Sequence, residues 1–186
     1  MKYIETSRTI LRQWRNADYR HFYTINSDPE IMRYFPRRLT RSESDGLADR
    51  LRSLIDDRGW GLWAAELKCS GEFIGLVGLH QIREEMPFSP GIELGWRLDK
   101  RFWRQGYAAE AASACIKYGL LDLKADELIA YTAIQNIASI GVMKKIGMSN
   151  SGITFNHPLV DSQSILRQHC LYSISASRWQ DLQGDV

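Results

Sequence analysis

One stretch of the chain holds residue types that could do chemistry at useful spacing: Gly91–Ala112, GIELGWRLDKRFWRQGYAAEAA. Ile92, Leu94, Trp96 and Leu98 alternate with Glu93, Gly95 and Arg97, the period-two pattern of a strand. After a polar break, Ala108, Ala111, Ala112 and Cys115 fall on one face of a helix. A glycine-bearing turn between strand and helix leaves backbone N–H groups without partners at the helix start, and such groups hold anions. Gly106 would let a phosphate approach the backbone, with Arg101 and Arg104 supplying positive charge. Taken alone, the same pattern also describes a plain helix N-terminus.

About 30 residues on lies a second segment, Asn136–Met148, NIASIGVMKKIGM. Together the two segments resemble the GNAT acyl-CoA N-acyltransferases, whose pyrophosphate loop reads Arg/Gln-x-x-Gly-x-Gly/Ala. Here that loop is Trp103-Arg104-Gln105-Gly106-Tyr107-Ala108, with Trp103 in place of the usual first Arg or Gln. The aromatic at its head, followed by Gly-Tyr-Ala and Glu110-Ala111, is similar to the branch related to ribosomal-protein alanine and serine N-acetyltransferases. So is Asn-x-x-Ser followed by Lys-x-Gly-Met in the second segment.

The resemblance implies an acetyl-CoA co-substrate and an amine acceptor. Acyl transfer from a thioester to an amine requires that the cofactor be held, that the amine lose a proton and that the departing thiolate be stabilised. For holding, the resemblance lays the pantetheine arm along the Leu94–Leu98 edge, past Trp96 and Leu98, in the manner of strand addition. The pyrophosphate meets Trp103, Arg104, Gln105, Gly106, Tyr107 and Ala108, and Asn136 and Ser139 complete the cofactor contacts. For the base, the resemblance points to Glu93; the competing reading pairs Glu93 with Arg97, which points the same way along the strand. For the leaving group, many relatives carry a tyrosine seven residues after the asparagine, where this chain has Met143. Ser139 is the substitute hydroxyl, set against a helix-surface serine bonding its own backbone. Asn136 is expected to bond the pantetheine or the neighbouring strand. Lys144 and Lys145 read as solvated charges in preference to phosphate partners.

Other reactive types carry less. Cys115 lies on the sheet-facing side of the Ala-rich helix and reads as core. His157 and His169 lack metal-ligand spacing, so no metal and no covalent mechanism is expected. Trp60, Trp63 and Tyr34 are core candidates, with one or two available to line an acceptor pocket beside the His157 loop.

The elements that must position these residues fit one domain over residues 1–186, long enough to bury roughly 70% of its unfolded surface. With 24 Lys plus Arg against 22 Asp plus Glu, the net charge of +2 gives no field for nucleic acid. Three scattered cysteines without a CxxC argue against a disulfide framework or zinc site, and for a reducing cytoplasm. No signal-peptide core is present, and the most apolar stretch, Phe73–Leu79, is too short to span a bilayer. A soluble cytoplasmic protein is expected, monomer or homodimer, without membrane partners.

Along the chain, Arg8–Trp14 reads as a first, edge strand, and Asn16 or Asp18 as the cap of a helix ending near Ser27-Asp28-Pro29. Glu30–Phe35 is a short apolar turn or helix closed by Pro36. Thr40 with Glu43 has capping-box spacing and opens a helix that stops at Gly59. Trp60–Leu67 and Glu72–Ile82 form a hairpin, the second strand central. After the helix from Gly106 to about Asp122 come a strand at Leu128–Ala133, a helix at Asn136–Ile146, and strands at Ser149–Phe155 and Gln168–Ile174. This order, βααβββαβαββ, is that of the resembled family: an α/β (α+β) fold with a mixed, mostly antiparallel six- to seven-stranded sheet and helices on both faces. The function expected is acetyl transfer from acetyl-CoA to a primary amine, a protein N-terminus or small amine, by direct attack in a ternary complex. The alternative is a non-catalytic acyl-CoA-binding regulatory or interaction module.

Overall fold

The computed structural model describes residues 4–184. Its strands are β1 (Ile4–Glu5), β2 (Thr9–Arg12), β3 (Leu62–Leu67), β4 (Phe73–Gln81), β5 (Ile92–Leu98), β6 (Glu127–Ala133), β7 (Ser149–Asn156) and β8 (Gln168–Ser175). Its helices are α1 (Asp18–Ser27), α2 (Arg41–Arg58), α3 (Tyr107–Leu121), α4 (Ile137–Lys145) and α5 (Ala176–Gly184). A 3-10 turn at Lys100–Phe102 occupies the polar break after β5. The sheet runs β1-β2-β3-β4-β5-β6-β8-β7, antiparallel throughout except where β5 meets β6.

Eight strands replace the expected six or seven. The additional one, β1, has two residues, too few to display a period, and it pairs Ile4 with Leu11 and Glu5 with Ile10. It covers the outer side of β2, so the strand expected at the edge is flanked on both sides. Helix α5 also went unread because its sequence, ASRWQDLQG, is mostly polar. The cap of α1 is neither Asn16 nor Asp18 but Ala17, which offers no side-chain bond. Asp18 is instead buried against the Arg12 guanidinium at 2.7 Å, and Arg12 also holds Glu66 at 2.7 Å. The Thr40–Glu43 capping box forms as expected, and α2 ends at Gly59 with φ 81°.

Strand β4, buried from Phe73 to Leu79, is the spine of the core. Trp14 and Phe22 pack against Phe73 where α1 meets the sheet. On the other face, α3 brings Ala112, Cys115 and Ile116 onto the sheet, all with 1% exposure or less. Gly119 permits that approach: a Cβ there would lie 2.8 Å from Leu128 and 3.0 Å from Leu79. Cys115 is thus core as expected, and burial pushes its thiol pKa far up.

Candidate active site

Strands β5 and β6 run parallel and are paired at one position, Glu93 with Ile129, before they separate. The direction of the β5 amides follows from its other neighbour. Gly91 O accepts from Ile82 N–H and Asp99 N–H donates to Ile74 O, so the odd-numbered peptide groups of β5 face β4. Alternation along a strand turns the even-numbered groups, Trp96 and Leu98 among them, toward the gap. One is already used: the Trp103 indole N–H donates to Leu98 O at 2.9 Å. Trp103 therefore ties the turn after β5 back to the strand edge.

That turn uses two left-handed residues, Arg104 at φ 59° and Gly106 at φ 86°. The second is where glycine is needed, because the chain must reverse into α3. The first helical amide to reach a carbonyl is Glu110 N–H, bonded to Gly106 O at 2.9 Å. Among the described residues the Tyr107, Ala108 and Ala109 amides before it have no acceptor, and Gly106 adds no side-chain cap. Beside them lies a hollow of about 300 Å³ lined by Arg8, Gln105, Gly106, Ala109, Glu110, Ser113 and Lys145. Arg8 is the element that sequence reading missed. Its guanidinium holds Glu110 at 2.6 Å, donates to Gln105 O at 3.0 Å and sits 4.3 Å from the Tyr107 ring centroid. Arg101, expected to supply charge here, is bound to Asp99 at 2.8 Å and Glu72 at 3.0 Å, so its charge is largely neutralised. Lys144 and Lys145 are both exposed, as solvated charges should be, and Lys145 also borders the hollow. Arg104 and Gln105 are exposed, Gln105 donating to Arg101 O at 2.8 Å.

Glu93 lies on the sheet face covered by α1 and α2 further along, and its neighbours are not those expected. It does not pair with Arg97. Its cross-strand partner is His80, whose Nε2 lies 3.1 Å from Oε2. The approach is close but poorly aligned, leaving Oε2 without a well-formed hydrogen bond. The other ring nitrogen, Nδ1, is 2.9 Å from Gln81 O. Burial alone would lower the His80 pKa, but the Glu93 charge and these two acceptors outweigh it, and the net direction is upward.

Tyr131, on β6, stands beside Glu93; burial first, then that carboxylate, pushes the phenol pKa up, so it stays protonated. Around Tyr131 stand Phe88, Phe155, His157 and His169, with the two histidine rings 4.8 Å apart. Burial pulls the His157 pKa down to about 4, and His169 moves the same way. Of these neighbours only the His157 loop was expected near an acceptor pocket; the others were not legible in sequence, because elements distant along the chain deliver them. A larger hollow of about 640 Å³ opens beyond Phe88, at the beginnings of β5 and β6, but it contains neither Glu93 nor the free amides. Trp63 is core at 1% exposure, Trp60 stacks under Arg58, and Tyr34 packs against Arg33.

At the far side of the gap, Asn136 caps α4. Its Oδ1 accepts from Ser139 N–H at 3.3 Å, and its Nδ2 donates to Thr132 Oγ1 at 2.9 Å and to Ser139 Oγ at 3.1 Å. It thus bonds the neighbouring strand, one of the two expected partners. The Ser139 hydroxyl is not spent on its own backbone; it accepts from Asn136 and keeps its hydrogen. Met143 is buried at 1% exposure, packed in the core.

A gap between parallel strands, a strand edge with free peptide groups and a helix start with three free amides suit a ligand that carries both amides and phosphates. Comparison with known proteins agrees: residues 8–149 match the acetyltransferase (GNAT) domain family. The chain belongs to that family. The YkkB protein of Bacillus subtilis is 31% identical over 158 residues, covering 80% of this chain and 86% of its own. The FsC-acetyl coenzyme A-N(2)-transacetylase of Aspergillus fumigatus is 30% identical over 166 residues, covering 86% of this chain and 70% of its own. The ribosomal-protein-S5-alanine acetyltransferase structure from Vibrio fischeri shares the fold, with a TM-score of 0.76 at 17% identity, over 96% of this chain and 99% of that one. GNAT membership makes the chain an N-acetyltransferase, of a family that uses acetyl-CoA. Among the described residues, no helix is long and apolar enough to cross a membrane.

Proposed function

We propose that the protein, as one catalytic domain, transfers an acetyl group from acetyl-CoA to a primary amine by direct attack within a ternary complex. The observation that carries the reading is the parting of β5 from β6 beside the open amides of Tyr107, Ala108 and Ala109. Peptide groups of Trp96 and Leu98 would take the pantetheine amides, and the α3 amides with Arg8 and Lys145 would take the phosphates. Bound there, acetyl-CoA supplies a thioester carbonyl open to a nucleophile.

Glu93, with unmet accepting capacity on Oε2, receives the amine proton directly or through water as the C–N bond forms and the C–S bond breaks. His80, with Nε2 3.1 Å from Oε2 and Nδ1 2.9 Å from Gln81 O, stands beside the base as a positioning residue. Ser139 directs its unspent hydrogen to the thiolate, since Met143 has no proton to give. The acceptor, a protein N-terminus or small amine, lies on the Glu93 face with Tyr131, His157 and His169 as a neutral ring wall. The reading includes a cytoplasmic monomer or homodimer.

Thiol release from acetyl-CoA across a panel of amines tests this. Turnover with at least one amine is expected. Tight CoA binding with no turnover on any amine would leave only the binding-module alternative.

A further inference from the structure

Three residues of β5, Glu93, Gly95 and Arg97, point to one face of the sheet at alternate positions. The first is the carboxylate assigned above as base. The second is bare: a Cβ at Gly95 would meet nothing closer than Leu62 Cδ2 at 3.5 Å, so the strand between the two charges is open. The third is a cation without an anion. Arg97 Nη1 donates to Asn26 Oδ1, and the guanidinium lies 4.1 Å from the Phe35 ring centroid. Among the described residues no other acceptor meets the group, and Nε is fully buried without a partner. Acids on the neighbouring elements are occupied elsewhere. Asp28 and Glu30 both hold Lys100, at 2.8 and 3.2 Å, Asp99 holds Arg101, and Glu93 faces His80.

A buried charge that lacks a counter-charge is costly, and proteins ordinarily pair it. Here burial alone acts on the group, holding its pKa down to about 10. With Nη1 taken by Asn26, the unoccupied part of the guanidinium is the Nε–Nη2 edge. Two parallel N–H groups on that edge match the two oxygens of a carboxylate, the bidentate geometry that distinguishes arginine from lysine.

We infer that the acceptor is an amine bearing a carboxylate, an amino acid or amino-acid derivative, with Arg97 holding the carboxylate and Glu93 facing the amine across Gly95. This rests on the acetyltransferase reading of the same gap and narrows its acceptor. A protein N-terminus brings no carboxylate close to its amine, and a polyamine would bring cations to Arg97, so both are disfavoured. Asn26 and Phe35 belong to the charge site as positioning residues, because they orient the guanidinium and leave its other edge free.

The test pairs acids with their neutral twins. Wild-type protein is assayed with standard amino acids and straight-chain ω-amino acids, each beside its amide. At least one acid should exceed its amide in kcat/KM by about tenfold or more, the scale of a lost hydrogen-bonded ion contact. Arg97→Gln should bring that ratio close to unity while the acetyl-CoA Kd stays within about twofold. Equal rates for acids and amides in the wild type would overturn the inference, as would a ratio that survives in Arg97→Gln. Loss of CoA affinity in that variant would assign Arg97 to a cofactor phosphate and also overturn it. A second measurement needs neither turnover nor a variant. With CoA present, an N-acetylated amino acid should raise the wild-type thermal midpoint more than its N-acetylated amide does, and equal midpoints would overturn the inference. Should no amine be acetylated at all, the transfer reading fails while this binding comparison still decides the role of Arg97.

Discussion

Replacing Gly106 by Asp puts a negative charge at the mouth of the helix-start hollow. Two unit charges about 4 Å apart interact by about 1 kcal/mol in water and about 4 kcal/mol at the effective dielectric near a protein surface. The hollow is partly open, so the value for a pyrophosphate held by the Tyr107–Ala109 amides falls between these limits. Acetyl-CoA affinity should therefore drop by about tenfold to several hundredfold. Arg8 makes matters worse for the ligand. A Cβ at position 106 would stand 3.3 Å from Arg8 Nη2, bringing the new carboxylate within reach of the cation that would otherwise face a phosphate. Any side chain at φ 86° also costs stability, on the order of 1 kcal/mol. Gly106→Asn has the same shape and conformational cost without the charge, so the difference between the two variants isolates the electrostatic part. Calorimetric titration of CoA into both folded proteins measures it. Wild-type affinity in Gly106→Asp, or equal losses in Asp and Asn, would refute an anion site at these amides.

Glu93→Gln keeps the shape and removes the base, so kcat/KM should fall by about 10²–10⁴-fold, and the His80 titration followed by NMR should move to lower pH once the carboxylate that raises it is gone. Ser139→Ala should lower kcat more than CoA affinity, because solvent can still protonate the thiolate. His157 ionises near 4 when folded and near 6.5 when unfolded, so the unfolded chain binds more protons between those values. Its contribution to stability is complete above pH 6.5 and is lost as pH falls toward 4, with His169 acting in the same direction. Urea midpoints measured at pH 7, 5.5 and 4 should decline in that order, and a flat series would show that the two rings are not buried as neutral groups.

Sequence legibility followed the range of the interactions involved. Local features were readable: the β5 alternation, the Gly106 turn, the Thr40–Glu43 box and the helix after Asn136 all depend on residues within a few positions of one another. Features that need distant partners were not. The His157 loop was expected beside the acceptor, but nothing near Glu93 announces His80, Tyr131 and His169, since sheet register brings them together. Arg8 reaches the Gly106 turn from about a hundred positions away, and of the two acids that hold Arg101 only Asp99 is near it in sequence, Glu72 coming from just before β4. The competing reading, in which Glu93 pairs with Arg97, suits an isolated strand. It fails because β4 offers a histidine opposite the glutamate and α1 offers an amide to the arginine. The missed β1 and α5 are a different matter, being too short or too polar to show a period.

The parting of β5 from β6 has a mechanical side. With a single pairing position between them, β1–β5 and β6–β8 are close to two separate sheets, and α3, which packs on β4, β5 and β6, is the mortar between them. A ligand lying along the free edge of β5 would replace the missing ladder and join the two blocks. Amide exchange in the empty protein should then be fastest at the facing edges of these strands, and the block from β6 onward should open in smaller steps than the whole molecule. Cofactor loading would turn two loosely coupled halves into one cooperative unit, so the same cleft that admits the substrate also governs how the chain comes apart.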